Sequence, residues 1–283
     1  MLAAYGNCSL RFVCRVFDRA WSWYQYRRNR GVVLPRVKRP DVVDGIRAVI
    51  HARPATYGYR RVHALLRAMG VYCNPKTVLR YMAQRLWLSS VRVRRCGAAR
   101  RHEGVVAVPE PNTRWASDIT CIRAWNGEKG RLAVLIDCAD RGIIAYRWAR
   151  RILARDIQEM VKEGMANRLG TPVAGKLEFL SDNGPEFIEG VLKLFLEDAG
   201  FVVCTTPVRS PESNGIVESF FRGFKRDYVY QSECPSFEAI GEWIPRWIED
   251  YNTKAPHGAL EMQSPAAFYA AWRLKTGDKL VQK

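Results

Sequence analysis

The sequence predicts an α/β protein, a mixed five-stranded sheet with packed helices, preceded by a helical region of helix-turn-helix type. Three observations lead there. Strand-like and helix-like segments alternate from Thr113 onward. Before that point the apolar residues keep only helical spacing. Charge divides at the same place: residues 1–107 carry a net +18 and residues 108–283 a net −1.

Ser9 can cap a helix presenting Leu10, Val13, Cys14, Val16 and Phe17. The aromatic-rich segment Trp21 to Tyr26 follows, so residues 1–30 have the dimensions of a short helix-turn-helix-like segment. Gly31, Pro35 and Pro40 mark a linker. Residues 41–88 read as a helical DNA-binding domain. Val42, Val43, Ile46, Val49 and Ile50 share a helical face, and Val62, Leu65, Leu66 and Met69 continue the pattern to a cap at Gly70. Asn74-Pro75 opens a third helix carrying Lys76, Arg80 and Arg85. A three-helix unit with a basic last helix suits major-groove docking, with arginines gripping phosphates; the alternative is a solvated basic helix. Residues 89–111 form an Arg-rich basic linker.

In residues 112–230, strands are expected near 114–123, 131–139, 142–148, 177–182 and 201–205, and helices near 155–169, 186–199 and 212–230. Residues 231–283 form a helical extension, whose spacing of Ile240, Trp243, Ile244, Trp247, Ile248 and Tyr251 is interrupted by Pro245, expected to kink or divide the helix.

With 283 residues the chain has room for about two domains, and 48% hydrophobic with 26% charged residues excludes a disordered chain or a small disulfide scaffold. Apolar runs reach five residues, as at Leu132 to Ile136, where a membrane span needs about 20. No secretory signal is visible, so the expected location is the cytoplasm. The eight cysteines are scattered without a C-x-x-C pair, against a zinc site or a disulfide framework. The basic third points to a polyanion, DNA first.

Asp118 lies in a predicted strand, where aspartate is depleted. Asp182 opens the turn Asp182-Asn183-Gly184, and Glu218 lies on a predicted helix. Taken singly, Asp182 could serve the turn alone and Glu218 could be solvated. Sixty-three residues separate the aspartates and 35 separate Asp182 from Glu218. Phosphodiester chemistry uses two divalent ions held by oxygen ligands, and three carboxylates on two strand ends and a helix can supply them. Arg222 and Lys225 share the Glu218 helix face and could hold flanking phosphates, although Lys225 reads equally as a surface lysine.

Trp115-Ala116-Ser117-Asp118-Ile119-Thr120, then Ser181-Asp182-Asn183-Gly184-Pro185-Glu186-Phe187, then Ser210-Pro211-Glu212-Ser213-Asn214-Gly215-Ile216-Val217-Glu218 together resemble the Asp-Asp-35-Glu transposases and retroviral integrases. More narrowly, the chain resembles the second-reading-frame transposase of the bacterial insertion sequence 3 family, and Arg209 to Gly215 its insertion sequence 2 branch. Thr56 to Val62 resembles the family's DNA-binding segment, and Tyr251-Asn252, Pro256-His257 and Ser264-Pro265 its C-terminal signature. The resemblance implies a ribonuclease-H-like catalytic core. It implies metal-dependent strand cleavage and strand transfer at terminal inverted repeats, using Asp118, Asp182 and Glu218 with Mg2+, or Mn2+ in its place. Lys225 matches the family's basic position seven residues after the glutamate, and Arg60 and Arg61 lie in the resembling DNA-binding segment; with Arg222, Lys76 and Arg80 they are the expected DNA contacts. The implied partners are element ends and target DNA, a second copy of the chain on DNA, and an upstream first-frame product joined by frameshifting; no membrane is implied, and the location becomes the bacterial nucleoid. The competing possibility is a DNA-binding regulator of transposition without catalysis of its own. A retroviral-type integrase would carry an N-terminal zinc module that is absent from this sequence, and a ribonuclease H would leave the basic arm unexplained. His257 matches a family position with no evident mechanism, which favours a structural histidine.

Overall fold

The computed structural model describes residues 11, 14, 16, 20–22, 24–25, 38–52, 56–88, 108–169, 177–182, 184–188, 190–205 and 215–280. Two compact units divide after Asp41. In the first, Arg11, Cys14, Val16, Trp21, Ser22, Tyr24 and Gln25 are helical. Trp21 stacks on Tyr24 at 5.2 Å, and the Arg11 guanidinium lies 5.4 Å from the Trp21 ring. Ser9, nearly all of the expected linkers 31–40 and 89–111, Asn183 and residues 206–214 lie outside the described residues.

Helices α1 (Pro40–Ala52), α2 (Tyr59–Ala68) and α3 (Pro75–Gln84) follow. Val42, Val43, Ile46, Val49, Val62, Leu66, Val78, Tyr81 and Met82 are buried. The helix signals work as their chemistry requires. Gly70 takes φ 79 behind α2. The Asn74 side chain accepts the Lys76 N–H at 2.9 Å, with Pro75 at the first helical position. Gly45 is needed for closeness: a Cβ there would lie 2.6 Å from the Leu66 Cδ2.

The sheet contains β1 (Arg114–Arg123), β2 (Lys129–Asp137), β3 (Ile143–Ala149), β4 (Leu177–Ser181) and β5 (Phe201–Thr205) in the order β3-β2-β1-β4-β5. The first three pair antiparallel, and β4 and β5 join parallel to β1. Alternation along β2 feeds two cores. Leu132, Val134 and Ile136 pack with α7 (Gly215–Asp227) and α8 (Phe237–Thr253). Ala133 and Leu135 face the other core, shared by α4 (Ala154–Arg168) and α6 (Gly190–Asp198). The short α5 (Pro185–Ile188) and the last helix, α9 (Pro265–Leu280), complete the second unit. The expected helix 212–230 ends at Asp227, and residues 229–231 form a 3-10 turn.

Pro245 does not divide α8, which runs unbroken from Phe237 to Thr253. Ile240 and Ile244 before the proline and Trp247, Ile248 and Tyr251 after it are all buried, so packing holds the helix together across it. Pro245 itself sits on the exposed face, where water can reach the backbone carbonyl it leaves unpaired. The end of α8 is a clamp. The Asn252 side chain accepts the Ile143 N–H at 2.9 Å and donates to the Ile143 carbonyl at 2.8 Å, acting as one extra strand residue on the edge of β3. The Tyr251 hydroxyl donates to the Arg141 carbonyl, and the Tyr228 hydroxyl to Asp250, each at 3.0 Å. His257 packs edge-on against the Tyr251 ring at 4.5 Å. Among the described residues, no helix is long and apolar enough to cross a membrane.

Candidate active site

Strand parity aims Asp118. It shares the β1 face of Ala116 and Ile122, both in the core beneath α7 and α8. The parallel register of β1 and β4 runs Arg114–Glu178, Trp115–Phe179, Ala116–Leu180. The ladder stops there; Asp118, on β1, and Asp182, just past the end of β4, each come two residues later. The Asp118 carboxylate accepts the Ile119 N–H at 2.7 Å, and Asp182 accepts the Gly184 N–H at 3.0 Å. Both line one cleft of about 710 Å³.

Glu218 is exposed in the first turn of α7 and is not among the residues lining that cleft. Its charge nevertheless reaches Asp118. Burial pushes the Asp118 carboxyl up to about 6; the Ile119 N–H opposes this, the negative charges of Asp182 and Glu218 add to it, and the Lys225 ammonium opposes it. Lys225 is half-buried, and burial pulls its ammonium below the ordinary lysine value. Among the described residues, no three His, Cys, Asp or Glu side chains close on one point that could cage a metal ion. Asp118 and Asp182 are therefore neighbours in a cleft, with Glu218 an electrostatic neighbour that stands off.

One part of the cleft wall is basic, which residue spacing alone did not reveal. Lys129, Arg131, Arg150 and Arg151 line it together with Glu186. Arg131 bonds Glu186 at 2.6 Å, and Arg150 spans Glu128 at 2.7 Å and Glu238 at 3.0 Å. Lys129 and Arg151 are exposed. The signal for this wall was the antiparallel hairpin: Arg131 pairs with Ala149, so the start of β2 meets the end of β3 and gathers basic residues distant in sequence.

Arg222, Arg60, Lys76 and Arg80 are exposed. Arg60 leans on its neighbour, its Nε donating to the Tyr59 hydroxyl at 3.3 Å. The Arg80 guanidinium lies 5.2 Å from the Tyr81 ring. Arg61, expected as a DNA contact, is engaged within the protein. Its guanidinium bonds the buried Asp227 carboxylate at 2.7 Å and lies 4.9 Å from the Tyr57 ring. The helical turn that exposes Arg60 points Arg61 inward, and a contact across 166 residues leaves no local trace in sequence.

Known proteins match this geometry. An integrase core domain matches residues 108–211, a second integrase core domain residues 203–265, and an HTH-like domain residues 38–95. The transposase InsD of insertion element IS2D from Escherichia coli K12 is 34% identical over 262 residues, covering 89% of this chain and 84% of InsD. The chain belongs to the insertion-element transposases. An insertion element IS136 protein from Agrobacterium fabrum is 41% identical over 175 residues, 61% of this transposase and 90% of that protein. The intasome of simian T-cell lymphotropic virus, solved in complex with a PP2A regulatory subunit, shares the fold. It has a TM-score of 0.50 and 18% identity, over 73% of the transposase and 70% of that chain. The five-stranded sheet with its helices is thus a ribonuclease-H-like integrase core behind an HTH-like domain, and the transposase is a polynucleotidyl transferase acting on DNA.

Proposed function

We propose that this transposase cleaves and joins strands at the terminal inverted repeats of its element, with Asp118, Asp182 and Glu218 holding divalent cations. The observation that carries this is the cleft that Asp118 and Asp182 line together with Lys129 and Arg151. The donor set fits magnesium, or manganese in its place: every ligand would be a carboxylate oxygen, and a cation would relieve the Asp182 and Glu218 charges that add to the burial-driven rise at Asp118. When bound, two such ions activate an attacking oxygen and stabilise a leaving one.

The chain's own residues position the DNA. Lys129 and Arg151 flank the cleft and grip backbone phosphates there, while Arg222 and Lys225 do so beside Glu218. Arg60, Lys76 and Arg80 carry the grip of the 41–88 region, so the basic first third binds and the 112–230 core reacts. Water attacks first, and the freed 3′-hydroxyl then attacks a second phosphodiester, with no covalent link to the protein, so positioning and electrostatics dominate. Two element ends call for at least two copies on DNA. A first-frame product fused upstream supplies the rest of end recognition, and the protein works in the bacterial cytoplasm on the nucleoid. Calorimetric titration with Mn2+ tests the carboxylate assignment. Wild type binds, and Asp182→Asn weakens binding at least tenfold; equal binding by both would overturn it.

A further inference from the structure

Glu218 is the proposed ligand that stands outside the cleft, so whatever sets the position of α7 sets the third carboxylate. Besides the sheet it packs on, two side-chain features hold α7. Along its length, Phe220 meets Tyr251 at 5.0 Å and Phe224 meets Trp247 at 5.9 Å, both edge-on, anchoring it to α8. At its C-terminal end, Asp227 is held from the HTH-like domain. The Arg61 side chain on α2 is 26% exposed and Asp227 6%, so the ion pair is largely shielded from water. Arg226 also bonds the same carboxylate, with its second contact at 2.6 Å. Burial works against the Asp227 charge, yet the Arg226 and Arg61 guanidiniums hold its carboxyl below the ordinary value. Arg61 and Asp227 also line a cavity of about 400 Å³ with Tyr57, Gly223 and His257, which leaves room beside the pair for it to rearrange.

We propose that Arg61 and Asp227 are positioning residues: the Arg61–Asp227 pair ties the HTH-like domain to the helix bearing Glu218, so that DNA engaged by that domain sets the carboxylate for strand cleavage. This rests on the catalytic assignment of Glu218 made above. Arg60 and Arg61, adjacent in sequence, thereby divide their work. Arg60 faces outward to DNA, and Arg61 passes the engagement inward. An ion pair suits the task because it is directional: losing Arg61 leaves the buried Asp227 charge to Arg226 alone, at the end of α7 and without its tie to α2.

The test uses the full chain and a double-stranded oligonucleotide carrying the element end that flanks the coding region. Wild type, Arg61→Glu, Asp227→Arg and the double swap are compared for affinity by gel shift and for single-turnover cleavage of bound DNA with Mg2+. Arg61→Glu is expected to slow cleavage at least tenfold while affinity and its salt dependence stay within twofold, and the double swap to return cleavage to within threefold of wild type. Arg61→Gln serves if the charge reversals fail to fold. A second readout is independent of cleavage: backbone amides of α7 gain hydrogen-exchange protection when DNA binds wild type, and this gain is lost in Arg61→Gln. Reduced affinity with a salt slope lower by about one, as for a lost phosphate contact, and no rescue by the swap, would overturn the proposal. Failure of wild type to cleave would count against the catalytic assignment instead, and the α7 protection would still decide the tie.

Discussion

Replacing Asn252 by alanine removes both hydrogen bonds that its side chain makes to the backbone of Ile143. Ile143 is only 5% exposed, so its N–H and carbonyl gain little from water when the amide is gone. Leaving a buried backbone donor or acceptor without its partner costs about 1–3 kcal/mol. The two together give a loss of about 3 kcal/mol. At about 2–4 °C per kcal/mol for a domain of this size, the midpoint of thermal unfolding falls by about 6–12 °C. Two controls separate hydrogen bonding from bulk. Asn252→Asp keeps an acceptor for the Ile143 N–H but turns a carboxylate toward the Ile143 carbonyl, so it should be at least as damaging at pH 7. Thr253→Ala, next in sequence, loses only an exposed bond to the Glu249 carbonyl and should stay within about 0.5 kcal/mol. Urea and thermal unfolding followed by circular dichroism would read all three. A midpoint for Asn252→Ala within about 2 °C of wild type would refute the view that this side chain completes the sheet edge.

Burial, aided by the Arg61 charge, pulls the His257 imidazole down to about 4 from 6.5, so below pH 6.5 the unfolded chain takes up a proton that the folded chain refuses. Stability therefore falls as pH drops from about 6.5 to about 4, by up to about 3 kcal/mol from this group. Urea midpoints of His257→Gln should fall less over that window than those of wild type; parallel profiles would contradict it. For the basic cleft wall, Lys129→Ala and Arg151→Ala should each lower the slope of log affinity against log salt by about one, because each removes one phosphate contact. Fluorescence anisotropy over a KCl series measures this, and unchanged slopes would remove both residues from the DNA path.

Sequence reasoning placed what local chemistry decides. The strands near 114–123 and 201–205 show through their apolar β-rich composition, and β2, β3 and β4 lie within two residues of their expected bounds. Asn74-Pro75 and Gly70 marked helix ends because capping is a matter of one or two residues. Asp118 and Asp182 were singled out by their spacing and motifs, one in a predicted strand and one at a strand end, and both line one cleft. Tertiary contact was not legible. The inward turn of Arg61 depends on Asp227, 166 residues away. The basic wall depends on which residues of β2 and β3 face each other. Of the kink or division expected at Pro245, division does not occur, because the buried face on both sides of it keeps α8 whole. The Asn252 clamp required knowing that β3 is an edge strand with backbone groups to spare.

The central claim is that the carboxylates Asp118, Asp182 and Glu218 perform strand chemistry on DNA held largely by other residues. The most direct measurement is a labelled-strand assay on the element end, run with Mg2+ for wild type and Glu218→Gln, with a gel-shift lane for each. Wild type should release a cut strand with a free 3′-hydroxyl, and Glu218→Gln should bind the same DNA within about twofold while cutting at least 100-fold more slowly, as expected for a group used in the transition state. Cleavage by Glu218→Gln at the wild-type rate, or loss of binding in step with loss of cleavage, would contradict the account.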